Sequence, residues 1–164
     1  MVTGTKNEDP TVDKLRNENF IVALYDIGLL GDKNNRYIGV SPDGIAILKL
    51  PYDINGDVVS RTQFACVEIK TRVADSTITI ANKALAKHDR FVRCNYGDIV
   101  FKDCVPHNNC IQVIHQACAS KFNTGMFVTA KVEEEEGSIV QIVVVSFTDN
   151  DLETYKSTVY PLEE

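Results

Sequence analysis

The sequence predicts an α/β or α+β domain in which helices flank a mixed central β-sheet. Three observations lead to this fold class. Short apolar runs rich in β-branched residues recur along the chain, as is typical of strands. Between them, other segments repeat apolar residues every three or four positions, as helices do. The last apolar run, Ser138–Phe147, is nearly uninterrupted and therefore suits a central strand that is buried on both faces.

The first half of the chain is predicted to contain a helix followed by strands. Thr5–Asn17 has Val12 and Leu15 on one side, which indicates a short helix. The next predicted elements are a long apolar strand, a polar turn, a returning strand and a strand that opens after a proline, at Phe20–Leu30, Gly31–Asn35, Arg36–Val40 and Asp43–Leu50. The polar segment Pro51–Thr62 is a loop by composition, so the strands on either side of it are expected to pair as an antiparallel hairpin.

The second half is predicted to mix helices and strands. Alternation of alanine with basic residues indicates a helix at Thr77–Arg93, whereas Gly97–Val105 is ambiguous between a strand and an extended loop. The remaining predicted elements are a helix at Asn108–Lys121, strands at Gly125–Val132 and Ser138–Phe147, and a last helix near Leu152–Ser157 capped by Asn150 or Asp151.

Length and composition are those of a single domain over residues 1–164. The chain has 164 residues and 44% hydrophobic content, enough to bury roughly two thirds of its unfolded surface. No apolar stretch approaches the roughly 18 residues of a membrane span, and no signal-peptide pattern is visible. We therefore expect an intracellular protein with no membrane partner.

The cysteines favour a reducing compartment, the cytoplasm or the nucleus. They are five in number and form no C-x-x-C pair, so a disulfide framework is not expected. Cys104, His107 and Cys110 are evenly spaced, which leaves a metal site open as an alternative. We expect free thiols that bind no metal.

Charged residues interrupt two of the predicted strands. Asp43 precedes the apolar run Ile45–Leu48, and Glu68 and Lys70 follow the run Phe64–Val67. Such residues are seldom buried unless they are paired or bind a metal, so their positions indicate a functional site. Glu68 and Lys70 are two residues apart on a strand and therefore project from the same face. Carboxylate oxygens are suitable ligands for Mg²⁺ or Mn²⁺.

Four short motifs occur along the chain in a fixed order. Gly4–Glu8 matches G-x-x-x-E, Ser41–Gly44 is S-P-D-G, Glu68–Lys70 is E-I-K, and Cys110–Val113 is similar to an A-Q-V helix motif. In these motifs the chain resembles the PD-(D/E)-x-K nuclease superfamily, most closely its YqaJ and lambda-exonuclease branch of viral and phage recombination exonucleases. The resemblance implies a restriction-endonuclease-like core and Mg²⁺-dependent hydrolysis of DNA, with Mn²⁺ able to substitute. An endonuclease with the same site, or an inactive nucleic-acid-binding module of the same fold, remains an alternative.

The resemblance also implies the metal ligands and the catalytic lysine. Asp43 and Glu68 would bind the metal, together with the backbone carbonyl of Ile69. Lys70 would orient the attacking water and stabilise the transition state. Glu8 would complete a second metal site or hold Lys70.

Further residues are expected at the border of this site. Gln112 resembles the family's helix glutamine, which helps to position the lysine or the water, and Gln116, one turn later, competes for that match. Ser41 and Thr71 border the site in the sequence and are candidates to donate to a phosphate. His115, on the same predicted helix, is expected to be packed or exposed, because a metal-activated water needs no imidazole base.

The charge distribution bears on a nucleic-acid partner. The net charge is −6, although glutamates cluster in Glu133–Glu136 and at the C-terminus. Lys83, Lys87 and Arg90 fall at i, i+4 and i+7 of the predicted helix, with Arg93 nearby. We expect this basic stripe to contact the DNA backbone, with an ordinary solvated helix face as the alternative. The implied partner is DNA, at a double-stranded end. The resemblance is also compatible with a homo-oligomer and with a recombination partner protein.

Overall fold

The structure, a computed structural model, describes residues 11–28, 30–32, 35–50, 56–57, 61–72, 87–133 and 136–159. Its strands are β1 (Ile21–Tyr25), β2 (Leu30–Asp32), β3 (Asn35–Val40), β4 (Gly44–Leu48), β5 (Gln63–Arg72), β6 (Phe91–Asn95), β7 (Thr124–Glu133) and β8 (Glu136–Ser146). Its helices are α1 (residues 11–16), α2 (Ile99–Cys104), α3 (His107–Ser120) and α4 (Asp149–Val159). Within these described ranges, no helix is long and apolar enough to cross a membrane.

A mixed six-stranded sheet organises the fold. Its strand order is β1-β4-β5-β7-β8-β6, and β2 and β3 form a separate two-stranded ribbon. β4 and β5 pair antiparallel, as predicted, with Gly44 opposite Val67 at one end of the ladder. β5 and β7 run parallel, and so do β6 and β8. The predicted fold class, a mixed sheet flanked by helices, is confirmed.

Hydrophobic side chains fill both faces of the sheet. One face packs against α2, α3 and α4 through a cluster that includes Phe101, Val113 and Phe127. The other face packs against α1, where Leu15 is fully buried. Successive residues of a strand point to opposite faces, so the apolar run Ile142–Val145 of β8 supplies both clusters. The prediction of an interior position for this strand is confirmed by its pairing with β7 and β6.

Helix α3 lies close to the sheet. A Cβ atom added at Gly125 of β7 would come within 2.9 Å of Val113 Cγ1, so a larger residue at position 125 would push the helix away. The helix agrees with its predicted bounds to within a residue or two. The residue that caps its C-terminal end is Lys121, whose φ of 64° places it in the left-handed region.

The predicted helix at Thr77–Arg93 is wrong at its C-terminal end. Lys87 is helical, residues 88–90 are irregular, and Phe91–Asn95 form strand β6, while residues 73–86 lie outside the described ranges. Val92 and Cys94 alternate into the core beside β8, where a helix could not pair. Phe91 and Val92 favour a strand over a helix, and pairing with β8 buries Val92 and Cys94.

Gly97–Val105 is neither a strand nor an extended loop. Six of its residues form α2, which buries Phe101 and Cys104 three positions apart. Val105, the residue before Pro106, is extended, as expected before a proline. The β-branched residues Ile99 and Val100 favour strands over helices, so the sequence pattern did not predict this short helix.

Two other element boundaries differ from prediction. The long strand expected at Phe20–Leu30 ends at Tyr25, and residues 26–28 separate it from β2. The cap of α4 is Thr148 instead of Asn150 or Asp151: the backbone N–H of Asp151 donates to Thr148 Oγ1 at 3.0 Å, and the backbone N–H of Thr148 donates to Asp151 Oδ2 at 2.8 Å. This reciprocal pair is a capping box.

Candidate functional site

The backbone fixes Asp43 against strand β5. The N–H of Asp43 donates to the carbonyl oxygen of Val67 at 2.9 Å, which extends the β4–β5 ladder beyond Gly44. Beyond this point β5 continues past the end of β4. There the N–H of Ile69 donates to Asp43 Oδ2 at 2.6 Å, so the aspartate side chain takes the place of the next strand residue.

The carbonyl of Ile69 lies on the same edge of β5 as this amide. In an extended strand the N–H and C=O of one residue point toward the same neighbouring strand. Because the N–H of Ile69 points to Asp43, its C=O also faces that side. A carboxylate oxygen and a backbone carbonyl oxygen therefore share one strand edge.

The carboxylate of Glu68 is buried, and both of its oxygens have polar partners. Its Oε2 lies 2.9 Å from Lys70 Nζ, and its Oε1 accepts a hydrogen bond of 2.7 Å from Gln116 Nε2. The Glu68 side chain is 8% exposed and that of Lys70 is 25% exposed. A buried carboxylate needs such partners, and the exposed part of Lys70 can still reach a ligand.

The glutamine that contacts Glu68 is Gln116, not Gln112. Gln112 is exposed, and its Oε1 accepts a hydrogen bond of 2.7 Å from Asn109 Nδ2. Gln116 is buried, and its backbone carbonyl also accepts a weak 3.8 Å contact from the thiol of Cys66. Since Cys66 and Glu68 share a face of β5, both contacts dock α3 onto that face.

The other site residues predicted at the border are spread out. Ser41 is exposed two positions before Asp43, and Thr71 is half-buried near the end of β5, on the face opposite Glu68. His115 Nδ1 lies 2.9 Å from Tyr155 Oη of α4. Burial lowers the pKa of His115, which keeps its ring neutral at physiological pH. Glu8 lies outside the described residues.

The basic residues do not form one helical stripe. Lys87 Nζ lies 3.6 Å from Asp103 Oδ2, and Arg90 donates to Glu18 Oε1 at 2.8 Å. Arg90 follows the end of the helix, and Arg93 belongs to β6. Lys83 lies outside the described residues. The prediction that these residues lie along one helix face is therefore wrong. The described cations belong to different elements and have different neighbours.

The cysteines are buried or half-buried and form no disulfide. Burial, with smaller contributions from neighbouring groups, raises the pKa of Cys94 to about 12 and that of Cys104 to about 11. The half-buried Cys110 donates to the carbonyl of Val105 at 3.3 Å, and His107 is exposed. Across the ranges given above, no group of three or more His, Cys, Asp or Glu side chains is arranged to hold a metal ion.

The donor set near β5 is chemically suited to a hard cation. Its members are the carboxylates of Asp43 and Glu68 and the carbonyl of Ile69, all of them oxygen donors. Two donors are side chains and one is backbone. These three atoms are the metal ligands that the resemblance implies. The role of the Ile69 N–H in holding Asp43 was not predicted, because no sequence pattern shows that β5 extends beyond the end of β4.

No protein-family model matches the sequence, and no curated protein matches it.

Proposed function

We propose that the chain is a Mg²⁺-dependent deoxyribonuclease that hydrolyses phosphodiester bonds, acting as an exonuclease in the recombination of a virus, phage or mobile element. The observation that supports this most is the meeting of the S-P-D-G and E-I-K segments. Asp43 lies on the edge of β5 at Ile69, and Glu68 and Lys70 flank that residue.

The oxygen donors are the first part of the proposed mechanism. Asp43, Glu68 and the Ile69 carbonyl would hold Mg²⁺, with Mn²⁺ as a substitute, and Glu8 would add a further carboxylate. When bound there, the ion would lower the pKa of a bound water and withdraw charge from the phosphate. Asp43 Oδ2 is held by the Ile69 amide, so one carboxylate oxygen is already oriented before any ligand binds.

Lys70 is the second part. Its ammonium group lies 2.9 Å from Glu68 Oε2. This ion pair restricts the conformations of the Lys70 side chain. Fixed in this way, Nζ would orient the attacking water by hydrogen bonding and stabilise the negative charge that grows on the phosphate oxygens. Glu68 would thus both bind the cation and position the lysine.

Gln116 is the third part, as a positioning residue. Its amide donates to Glu68 Oε1, which leaves Oε2 to pair with Lys70. The helix glutamine implied by the resemblance is therefore better assigned to Gln116 than to Gln112. It would act through Glu68 and would not touch the substrate.

Cleavage of linear double-stranded DNA by the parent protein and by Asp43→Asn tests the proposal. Asparagine keeps the shape of the side chain and can still accept the Ile69 hydrogen bond, so folding should survive. The lost charge should lower the cleavage rate in Mg²⁺ or Mn²⁺ by roughly 100-fold or more. Asp13→Asn, on the exposed surface of α1, is the matched control, since its side chain is 77% exposed.

A second variant examines the lysine without breaking its ion pair. Lys70→Arg retains a cation beside Glu68, yet its larger planar head cannot occupy the same point. We expect a similar loss of rate with an unchanged unfolding midpoint. Parental cleavage rates in both Asp43→Asn and Lys70→Arg would refute the assignment of the site. A parent protein that binds DNA but cleaves none in either metal would favour the inactive binding module.

A further inference from the structure

A cavity opens at the start of β5, away from the proposed catalytic end of that strand. Its volume is about 330 Å³. It lies between the first residues of β5 and β7 and the segment that follows α3. Its walls include Arg61, Gln63, Phe64, Lys121, Phe122 and Thr124.

Two aromatic rings form one wall of this cavity. Phe64 and Phe122 are stacked, with ring centroids 5.5 Å apart and an interplanar angle of 29°. Phe64 remains 49% exposed, although it is a large apolar side chain. The left-handed backbone of Lys121 turns the chain at the end of α3 and carries Phe122 over Phe64. An aromatic surface that is held in place but only half covered is suited to stacking on another planar group.

Two cations lie beside the rings. Arg61 and Lys121 are exposed, and neither forms an ion pair within the part of the chain that the structure describes. None of the described residues that line the cavity is acidic. In a protein of net charge −6 this is a local concentration of positive charge, and it favours an anionic ligand.

A planar aromatic group joined to an anion is the chemistry of a nucleotide. Stacking on aromatic side chains requires a base that is free of the duplex, because paired bases are stacked on one another. Cations beside the aromatic wall would contact the adjoining phosphates. The combination is typical of sites that bind single-stranded nucleic acid without reading its sequence.

We infer that the cavity binds a nucleotide of single-stranded DNA, with its base stacked on Phe64 and its phosphates at Arg61 and Lys121. The inference rests on the proposed function in taking the natural ligand to be DNA. Phe64 and Glu68 project from the same face of β5 four residues apart, or about 13 Å. That separation is a few nucleotides, so a strand separated from its complement could be held near the proposed cleavage site.

Binding of a labelled oligothymidylate of about 12 nucleotides tests this inference, by fluorescence anisotropy in EDTA so that no cleavage occurs. Phe64→Leu keeps apolar volume but removes the aromatic face, and we expect it to weaken binding about tenfold or more. Arg61→Gln combined with Lys121→Asn removes both charges, and asparagine tolerates the left-handed backbone at position 121. This double variant should reduce the slope of log affinity against log salt by about 1.4.

The controls are matched by chemistry and exposure. Ile99→Ala removes an apolar side chain that is 76% exposed on α2, and Lys102→Gln removes an exposed charge on the same helix. Both should bind the oligonucleotide as the parent does. Equal thermal unfolding midpoints show that the variants are folded.

The outcomes separate this inference from the proposed function. Loss of binding in Phe64→Leu supports the cavity even if no variant cleaves DNA. Parental affinity in Phe64→Leu and an unchanged salt slope in the double variant overturn it, even if Asp43→Asn abolishes cleavage. Preference for a duplex of the same length, or displacement of the oligonucleotide by polyglutamate at equal charge concentration, would also overturn it, the latter in favour of an acidic peptide.

Discussion

At the scale of single residues, the arrangement around Glu68 depends on one glutamine. The Glu68 carboxylate is buried, and each of its oxygens has one partner, Lys70 or Gln116. Both glutamines of α3 were candidates in the sequence because they lie one helical turn apart. Sequence spacing could not choose between them, since the choice depends on which turn of the helix lies over β5.

Exchange of each glutamine for methionine gives a matched pair. Gln116→Met keeps the side-chain volume but leaves Glu68 Oε1 without its donor, so the free energy of unfolding should fall by about 1–3 kcal/mol. Gln112→Met alters an exposed side chain and should change it by less than about 0.5 kcal/mol. Urea denaturation measures both. Equal effects would show that the Gln116 hydrogen bond contributes nothing to stability.

At the scale of elements, strands with a clearly apolar sequence could be predicted. Elements whose formation depends on tertiary contacts could not. β4, β7 and β8 follow from their apolar sequence alone. β6 was predicted as the end of a helix, but its Val92 and Cys94 complete the core beside β8. The antiparallel pairing that brings Asp43 to Ile69 followed from the predicted hairpin. The basic stripe failed because its prediction assumed that one helix continued through Arg93.

Helix α4 offers a prediction about an element boundary. Thr148→Ala removes the acceptor of the Asp151 N–H, so the protein should lose about 1 kcal/mol of unfolding free energy. The control, Thr158→Ala, truncates an exposed threonine in the last turn, where Oγ1 only donates to the carbonyl of Thr154. Thermal or urea unfolding compares the two. A loss in Thr158→Ala as large as that in Thr148→Ala would contradict the capping role.

At the scale of the whole molecule, the buried thiols predict how stability depends on pH. The native pKa values of about 12 for Cys94 and about 11 for Cys104 exceed the ordinary value of 9.0, chiefly because of burial. At a pH above 9.0 but below these native pKa values, the unfolded chain releases thiol protons that the native protein retains. The unfolded state then binds fewer protons, so the free energy of unfolding must fall as pH rises above about 9.

Urea denaturation from about pH 8 to about pH 10 measures this decline. The variant Cys94→Ala isolates the contribution of one thiol from those of tyrosines and lysines that titrate in the same range. We expect the decline to be shallower in Cys94→Ala than in the parent. Parallel curves would mean that the Cys94 thiol ionises equally in the folded and unfolded states.

Charge over the whole molecule also bears on how DNA is held. Affinity for a duplex comes mainly from neutralised phosphates, and here the net charge is −6. Two of the described cations in the predicted stripe, Lys87 and Arg90, already face Asp103 and Glu18. In the part of the stripe that the structure describes, a long duplex would therefore find Lys87 and Arg90 already paired. An enzyme that acts at a DNA end needs fewer contacts, particularly if it also holds the separated strand.

We therefore predict that cleavage requires a DNA end. Covalently closed circular plasmid should resist the protein in Mg²⁺ and in Mn²⁺, while the same plasmid linearised with one cut should be degraded from its ends. Asp43→Asn, which should slow the degradation of the linear plasmid by roughly 100-fold or more, excludes a contaminating nuclease. Nicking of the closed circle as fast as degradation of the linear form would establish an endonuclease. That result would leave the Asp43, Glu68 and Lys70 site unchanged, because the requirement for an end depends on how DNA reaches the site and not on the chemistry performed there.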